Sequence, residues 1–291
     1  MKIGIHGKPF SGKTKEVIKQ VFAELSDLGA TIYLSDKFHD IINKTDIDDS
    51  SFEVYGPADD LSHLDFLFTL GGDGTLLQAV THISKLETPI LGINTGRMGF
   101  LATTAKEDIK QAISAVFNKK YSINKRSLLK LTSSGNYFKP NNFALNDFTI
   151  LKKDTSSMIM VQAYVDDQFL NTYWADGIIV ATPTGSTGYS LSCGGPLIAP
   201  GSASFALTPV SPHNLTTRPL VVPDHSKLTF KVEGRAKNFL ISLDSRFETV
   251  QNQTELHVEK ADFNVCLVEL DGHSYFKTIR QKLNWGVDIR N

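Results

Sequence analysis

The stretch "LDFLFTLGGDGTLLQAV", residues 64–80, decides how the fold is read. An apolar run, Phe66–Leu70, empties into Gly71-Gly72-Asp73-Gly74-Thr75, and a helix-like pattern begins at once. Such a run, closed by glycines, reads as a strand buried on both faces, as in a parallel sheet. Glycines tolerate positive φ and let backbone N–H groups approach a ligand without Cβ interference. The start of the following helix adds unpaired donors and a partial positive charge, which suit a phosphate. Asp73 repels phosphate, so anion binding alone does not explain it. It makes sense as a base taking a proton from a hydroxyl, as a contact to phosphate-bound Mg²⁺, or as a helix N-cap.

Outward from this stretch, the first hundred residues keep the same alternation. "KIGIHG" reads as a strand, followed by a helix whose buried face takes Val17, Val21, Phe22, Leu25 and Leu28. "ATIYLS" and "TPILGIN" are further strands, and "TLLQAVTHISKL" is helical. This order implies a parallel sheet covered by helices, with loops at the strand C-termini open to ligands. After about residue 100 comes one more amphipathic helix, "AKEDIKQAISAVFNK". Period-two alternation then dominates: "ALNDFTIL", "SMIMVQAYVDD", "KLTFKVEG", "NFLISLDS", "TELHVEK" and "NVCLVELDG". Strands this dense indicate an antiparallel β domain. The expected fold class is an α/β N-terminal domain with a parallel, Rossmann-like sheet, plus a β-rich C-terminal domain. The first domain spans 1–100 and carries the GGDGT turn. It is joined by the helical C-terminal segment 272–291, and the second domain spans 101–271.

Composition narrows the function classes. The 291 residues carry a formal net charge of −1, 41% hydrophobic and 21% charged residues, which describes a globular protein without a general grip on nucleic acid or an anionic membrane. No apolar stretch approaches the roughly 20 residues that span a bilayer. The chain enters strand-like alternation without the apolar core of a signal peptide, so a cytoplasmic address is expected. Two cysteines, Cys193 and Cys266, are too few for a disulfide framework or zinc cage. The eight histidines form no H-x-x-x-H pair, so no protein-built metal site is expected.

Four other stretches could carry chemistry. "DGIIVATPTGSTGYSLSCGGP", 176–196, is a strand that opens into a loop dense in small hydroxyls: Thr184, Ser186, Thr187, Ser190 and Ser192. Such a loop can satisfy phosphates and ribose hydroxyls, and Tyr189 offers a ring or a phenol; a Ser/Thr-rich surface loop is the plain alternative. "FALNDFTIL", 143–151, sets Asn146 and Asp147 inside an otherwise apolar strand, where polar groups are costly unless paired. They read a ribose or an amide, or they cap a turn. "INTGRMGFLA", 93–102, is a strand and glycine turn that shapes a crevice edge, with Arg97 facing phosphate or bonding nearby carbonyls. "GKPFSGKT", 7–14, matches the phosphate-binding P-loop pattern at every defined position, between a strand and a helix. Its Pro9-Phe10 pair is poorly suited to aiming successive N–H groups inward. Lys13 and Thr14 are therefore read as the exposed start of the first helix.

"GGDGT", "NTGRMGFL", "ALND" and "DGIIVATPTGSTGYSLSCGGP", in this order and spacing, resemble the signature segments of the NAD kinase family. The likeness runs from "IGIHGKP" to "YFKTIRQKLNWG", and the length suits the bacterial members. The resemblance implies transfer of the γ-phosphoryl of ATP to the 2′-hydroxyl of the adenosine ribose of NAD, giving NADP. It implies an active site in the crevice between the domains, the second domain binding NAD. It also implies Mg²⁺ or another divalent cation carried by ATP, and a homodimer or homotetramer. By position, Asp73 would be the general base and Gly74 would lie against the diphosphate. Asn146 and Asp147 would hold ribose or nicotinamide-side groups. Asp176, with Thr187, Gly188, Tyr189, Ser190, Leu191 and Ser192, would recognise the dinucleotide, with Thr184 near it. Arg246 would contact the nucleotide, and Trp174 stands where relatives vary with the choice of phosphoryl donor. Asp147 replaces a Glu common in the family, and Gly188 a frequent Ala. The GGDGT turn is shared with lipid and sugar kinases, and a non-catalytic dinucleotide sensor would keep the pocket without the chemistry. These are the alternatives.

Overall fold

The computed structural model describes residues 1–10, 12–96, 99–153, 158–234, 237–272 and 274–285. The chain divides into two compact units, Met1–Lys125 with Val265 onward, and Arg126–Asn264. The divisions thus fall at 125/126 and 264/265, where the pattern change suggests 100/101 and 271/272. The reason is the helix Ile109–Phe117: its Ile109, Ala112, Ile113 and Val116 are buried in the same core as Ile3, Leu34 and Phe68. That amphipathic face needs the first unit's apolar surface, and the chain leaves only afterwards.

In the first unit the strands Ile90–Ile93, Phe66–Leu70, Lys2–Gly7, Thr31–Ser35 and Glu53–Tyr55 lie side by side in that order, all parallel. Leu267, near the end of the strand Glu255–Leu270, extends the sheet in parallel beside Ile90. Phe66–Leu70 is buried at every residue, as the apolar run requires. The helix Gly12–Asp27 buries Val17, Val21, Phe22 and Leu25. Leu28 is a correction: the helix ends at Asp27, Gly29 turns the chain at φ +68°, and Leu28 is exposed. The helix Asp36–Ile42 and the strand Glu53–Tyr55 escape the periodicity reading because each is too short to show a period. The helix Tyr275–Leu283 closes this unit's described chain and buries Thr278 and Ile279.

The second unit is antiparallel. One sheet runs Leu220–Pro223, Ser204–Val210, Gly177–Ala181, Asp147–Lys152, Asn238–Leu243, Arg246–Gln251. A second set, Gln168–Ala175, Ile159–Val165, Leu228–Glu233 and the first part of Glu255–Leu270, pairs in that order. Side chains from both sets share one core, including Phe148, Val180, Phe205, Phe230, Ile241 and Val161. Two sequence readings change here. "TELHVEK" and "NVCLVELDG" form one strand of 16 residues, since no turn chemistry interrupts them. "FALNDFTIL" breaks into Phe143–Ala144 and Asp147–Lys152, so Asn146 lies at a bend and Asp147 opens the strand.

Candidate active site

The first cluster is built on the strand Phe66–Leu70 and the helix Asp73–Ile83, joined by Gly71 and Gly72. Gly72, extended, is the N-cap residue, and Asp73 is the first helical residue, so the plain reading of Asp73 as N-cap does not hold. Its half-buried carboxylate reaches away from its own helix to the turn that follows Ile90–Ile93. Oδ2 accepts from the N–H of Phe100 at 2.8 Å, and Oδ1 accepts from Leu101 and Ala102, each at 3.0 Å. Gly74 is exposed at the helix start. Arg97 lies outside the described residues. In the P-loop-like segment the helix begins at Gly12, and Phe10 meets the Phe38 ring edge-on at 6.4 Å. The Lys13 side chain also lies outside the described residues.

The second cluster belongs to the other unit and centres on the break at Leu145–Asn146. The strand ladder lapses there, and the carboxylate of Asp244 replaces it. It accepts from the N–H of Leu145 (3.0 Å), Asn146 (2.7 Å) and Asp147 (3.3 Å). Asp244 itself turns at φ +53°. From the other side Thr182 fastens the same bend: its N–H donates to Asn146 O at 2.9 Å and its hydroxyl to Leu145 O at 2.6 Å. The same hydroxyl accepts from Gly185 N at 3.1 Å. A Cβ on Gly185 would lie 2.0 Å from Asn146 O, so only glycine fits where the two turns touch. Asn146, Asp147, Thr184 and Gly185 are thereby brought together.

Asp147 is 8% exposed, and among the described residues its carboxylate accepts no hydrogen bond. Burial, and then the neighbouring Asp244 charge, push its pKa up to about 7. Asp244 is raised by burial too, while its three N–H bonds and the Arg246 charge oppose the rise. Arg246 donates to the carbonyls of Asn141 and Phe143, and its guanidinium lies 5.7 Å from the Phe143 ring centroid. Backbone carbonyls, aromatic rings and the Asp244 charge thus surround this half-buried guanidinium.

The hydroxyl-rich loop is more ordered than its composition suggests. Gly185–Thr187 is a 3₁₀ turn and Tyr189–Ser192 a single helical turn. Ser186 and Ser190 face inward: Ser186 Oγ donates to Pro183 O at 2.7 Å, and Ser190 Oγ lies 2.9 Å from Thr208 Oγ1. Thr184 is buried, Thr187 and Leu191 half-buried, and Gly188, Tyr189 and Ser192 exposed. Asp176 pairs with Lys152 at 2.6 Å. Trp174, on Gln168–Ala175, is 52% exposed. Sequence reasoning passed over Asp244 and the amides of Phe100–Ala102. The first had a signal, a lone carboxylate ending the apolar run "FLISL"; backbone donors leave none.

Comparison with known proteins bears on what these clusters serve. The family model for the ATP-NAD kinase N-terminal domain matches residues 3–121, and that for the ATP-NAD kinase C-terminal domain matches 145–270. An NAD kinase of Cytophaga hutchinsonii is 46% identical over 292 residues, covering 100% of both chains. One from Bacteroides fragilis is 39% identical over 295 residues, again covering 100% of both. The crystal structure of an NAD kinase from Archaeoglobus fulgidus in complex with ATP has a TM-score of 0.76 at 26% identity, over 98% of this chain and 99% of that one. Yeast NADH kinase complexed with NADH shares the fold, with a TM-score of 0.87 at 24% identity over 100% of this chain and 89% of that one. The chain therefore belongs to the ATP-NAD kinase family, phosphotransferases that use an alcohol group as acceptor.

Proposed function

We propose that this chain phosphorylates the 2′-hydroxyl of the adenosine ribose of NAD with ATP, giving NADP, and that Asp73 is the general base. In the transfer, the ribose oxygen bonds to the γ-phosphorus as the bond to the bridging oxygen breaks and ADP leaves. The hydroxyl proton passes to the Asp73 carboxylate. The observation that carries this reading is the Asp73 geometry: a carboxylate at a glycine-rich strand-to-helix turn, held by three N–H donors. A carboxylate has about four acceptor positions, so one remains for a substrate hydroxyl.

A secondary hydroxyl is a weak nucleophile, and phosphoryl transfer depends on alignment and on screening of phosphate charge. Mg²⁺ or another divalent cation arriving on the ATP phosphates supplies the screening. Phosphate oxygens are hard donors that suit such a cation. The N-terminal end of Asp73–Ile83, with Gly74, suits the diphosphate. Asn146 and Asp147 hold ribose or nicotinamide-side groups, and Asp176 with Thr184 and Thr187–Ser192 recognises the dinucleotide. Asp147, buried and unbonded, supports this assignment. Within Thr187–Ser192, Ser190 contributes by shaping the turn through Thr208. Arg246 supports the site through the carbonyls of Asn141 and Phe143, and Trp174 bears on donor choice. We infer from the family resemblance that the enzyme works in the cytoplasm as a homodimer or homotetramer.

The test is direct. Incubation with NAD, ATP and Mg²⁺ should yield a product that an NADP-specific dehydrogenase reduces. Well-folded protein that makes none, but phosphorylates a lipid or sugar, would contradict the reading.

A further inference from the structure

The three donors on Asp73 come from one short turn, and the glycine preceding them leaves no room for a Cβ beside the carboxylate. A Cβ built on Gly99 would fall 1.8 Å from Asp73 Oδ1, 2.4 Å from Cγ and 2.8 Å from Oδ2. Rotating the carboxylate about its own axis leaves the contact to Cγ in place, so a side chain at 99 forces Asp73 or the turn to shift. Phe100, Leu101 and Ala102 then point successive N–H groups at the two oxygens. This turn is itself anchored. Gly99 N donates to Ala102 O at 3.3 Å, Asn94 N to Thr104 O at 2.8 Å, and Thr104 N to Gly92 O at 3.1 Å. Leu101 and Ala102 are buried. The donors therefore belong to the sheet's rigid frame, the arrangement that precise positioning requires.

The bonds are shared unequally. Oδ1 accepts two, from Leu101 and Ala102, whereas Oδ2 accepts one, from Phe100. With about two acceptor positions per oxygen, Oδ1 is filled and Oδ2 has one left. We propose that the Gly99–Ala102 turn is the positioning device for the base: it fills Oδ1, leaves Oδ2 as the proton acceptor, and depends on glycine at 99. Gly99 touches no substrate in this account and acts only through Asp73. The proposal rests on Asp73 as the base, and goes beyond it in naming the accepting atom and the residues that present it.

A double-mutant cycle with Gly99→Ala and Asp73→Asn tests it. A misplacement of about 1 Å can cost about 10² in rate, so Gly99→Ala should lower kcat about 30- to 100-fold. The NAD dissociation constant should stay near wild type, while Tm should fall, because three N–H groups lose their carboxylate. In the Asp73→Asn background the same substitution should change residual turnover less than about twofold, because its effect passes through the carboxylate. Equal losses in both backgrounds, or undiminished kcat in a folded Gly99→Ala, would overturn the proposal. Should Gly99→Ala not fold, the cycle is run with the Ala102 amide replaced by an ester, removing one donor to Oδ1. A loss of about threefold or more in kcat in the wild-type background alone is then expected, and no loss overturns it. An Asp73→Asn enzyme as fast as wild type would instead refute Asp73 as the base.

Discussion

Asp147 is a buried carboxyl beside a second one, Asp244. Its pKa of about 7, against an ordinary 3.8, means the folded protein keeps a proton that the unfolded chain has released. The sign follows from linkage: this contribution is fully present below pH 4 and is lost as pH rises to about 7, then levels off. The slope is bounded by about 1.4 kcal/mol per pH unit. Asp147→Asn cannot ionise, so its urea-unfolding stability should gain on wild type between pH 5 and pH 8; parallel curves would show that the carboxyl is not perturbed. Ser190 makes a contrasting case. Its hydroxyl is buried against Thr208, so Ser190→Ala leaves a buried polar group short of a partner, at a cost of about 1–3 kcal/mol in denaturant unfolding. A direct substrate contact would instead show as a raised KM with unchanged stability.

Asp244 is an element-scale residue, because one carboxylate stands in for a stretch of missing strand ladder. Asp244→Ala strands the N–H groups of Leu145, Asn146 and Asp147. We expect a stability loss of about 3 kcal/mol or more by denaturant unfolding, with a severalfold rise in KM for NAD. Gly185→Ala drives a Cβ into Asn146 O and should displace the same bend, raising KM while Asp147 remains chemically intact. These devices mark where the sequence was legible and where it was not. The parallel strands, the helix Asp73–Ile83 and the glycine turn follow from apolar runs and glycine spacing, and the structure contains them. Breaking "FALNDFTIL" in two was not foreseeable, since the cause is a carboxylate 97 residues away or more. Likewise a hydroxyl-rich loop reads as open to ligand from composition, yet Ser186 bonds the backbone of Ile198 and Ser190 the hydroxyl of Thr208, neighbours that only the fold supplies.

For the whole molecule, the period change from 3.6 to 2 announced the two architectures. It missed that the helix Ile109–Phe117 stays with the first unit, and so does Val265 onward. The first unit is thus assembled from both ends of the chain. Val268 is in its core and Ile279 is buried, so a chain cut after Asn264 should be insoluble or strongly destabilised. A soluble truncate with wild-type Tm would contradict that assembly. The central claim, that this fold delivers an aspartate base to a sugar hydroxyl, is tested by Asp73→Asn in single-turnover reactions with NAD, ATP and Mg²⁺. A positioned base contributes about 10²–10⁴ in rate, so NADP formation should slow by that factor while the NAD dissociation constant stays within about twofold. An undiminished rate, or a loss lying wholly in NAD binding, would contradict the account.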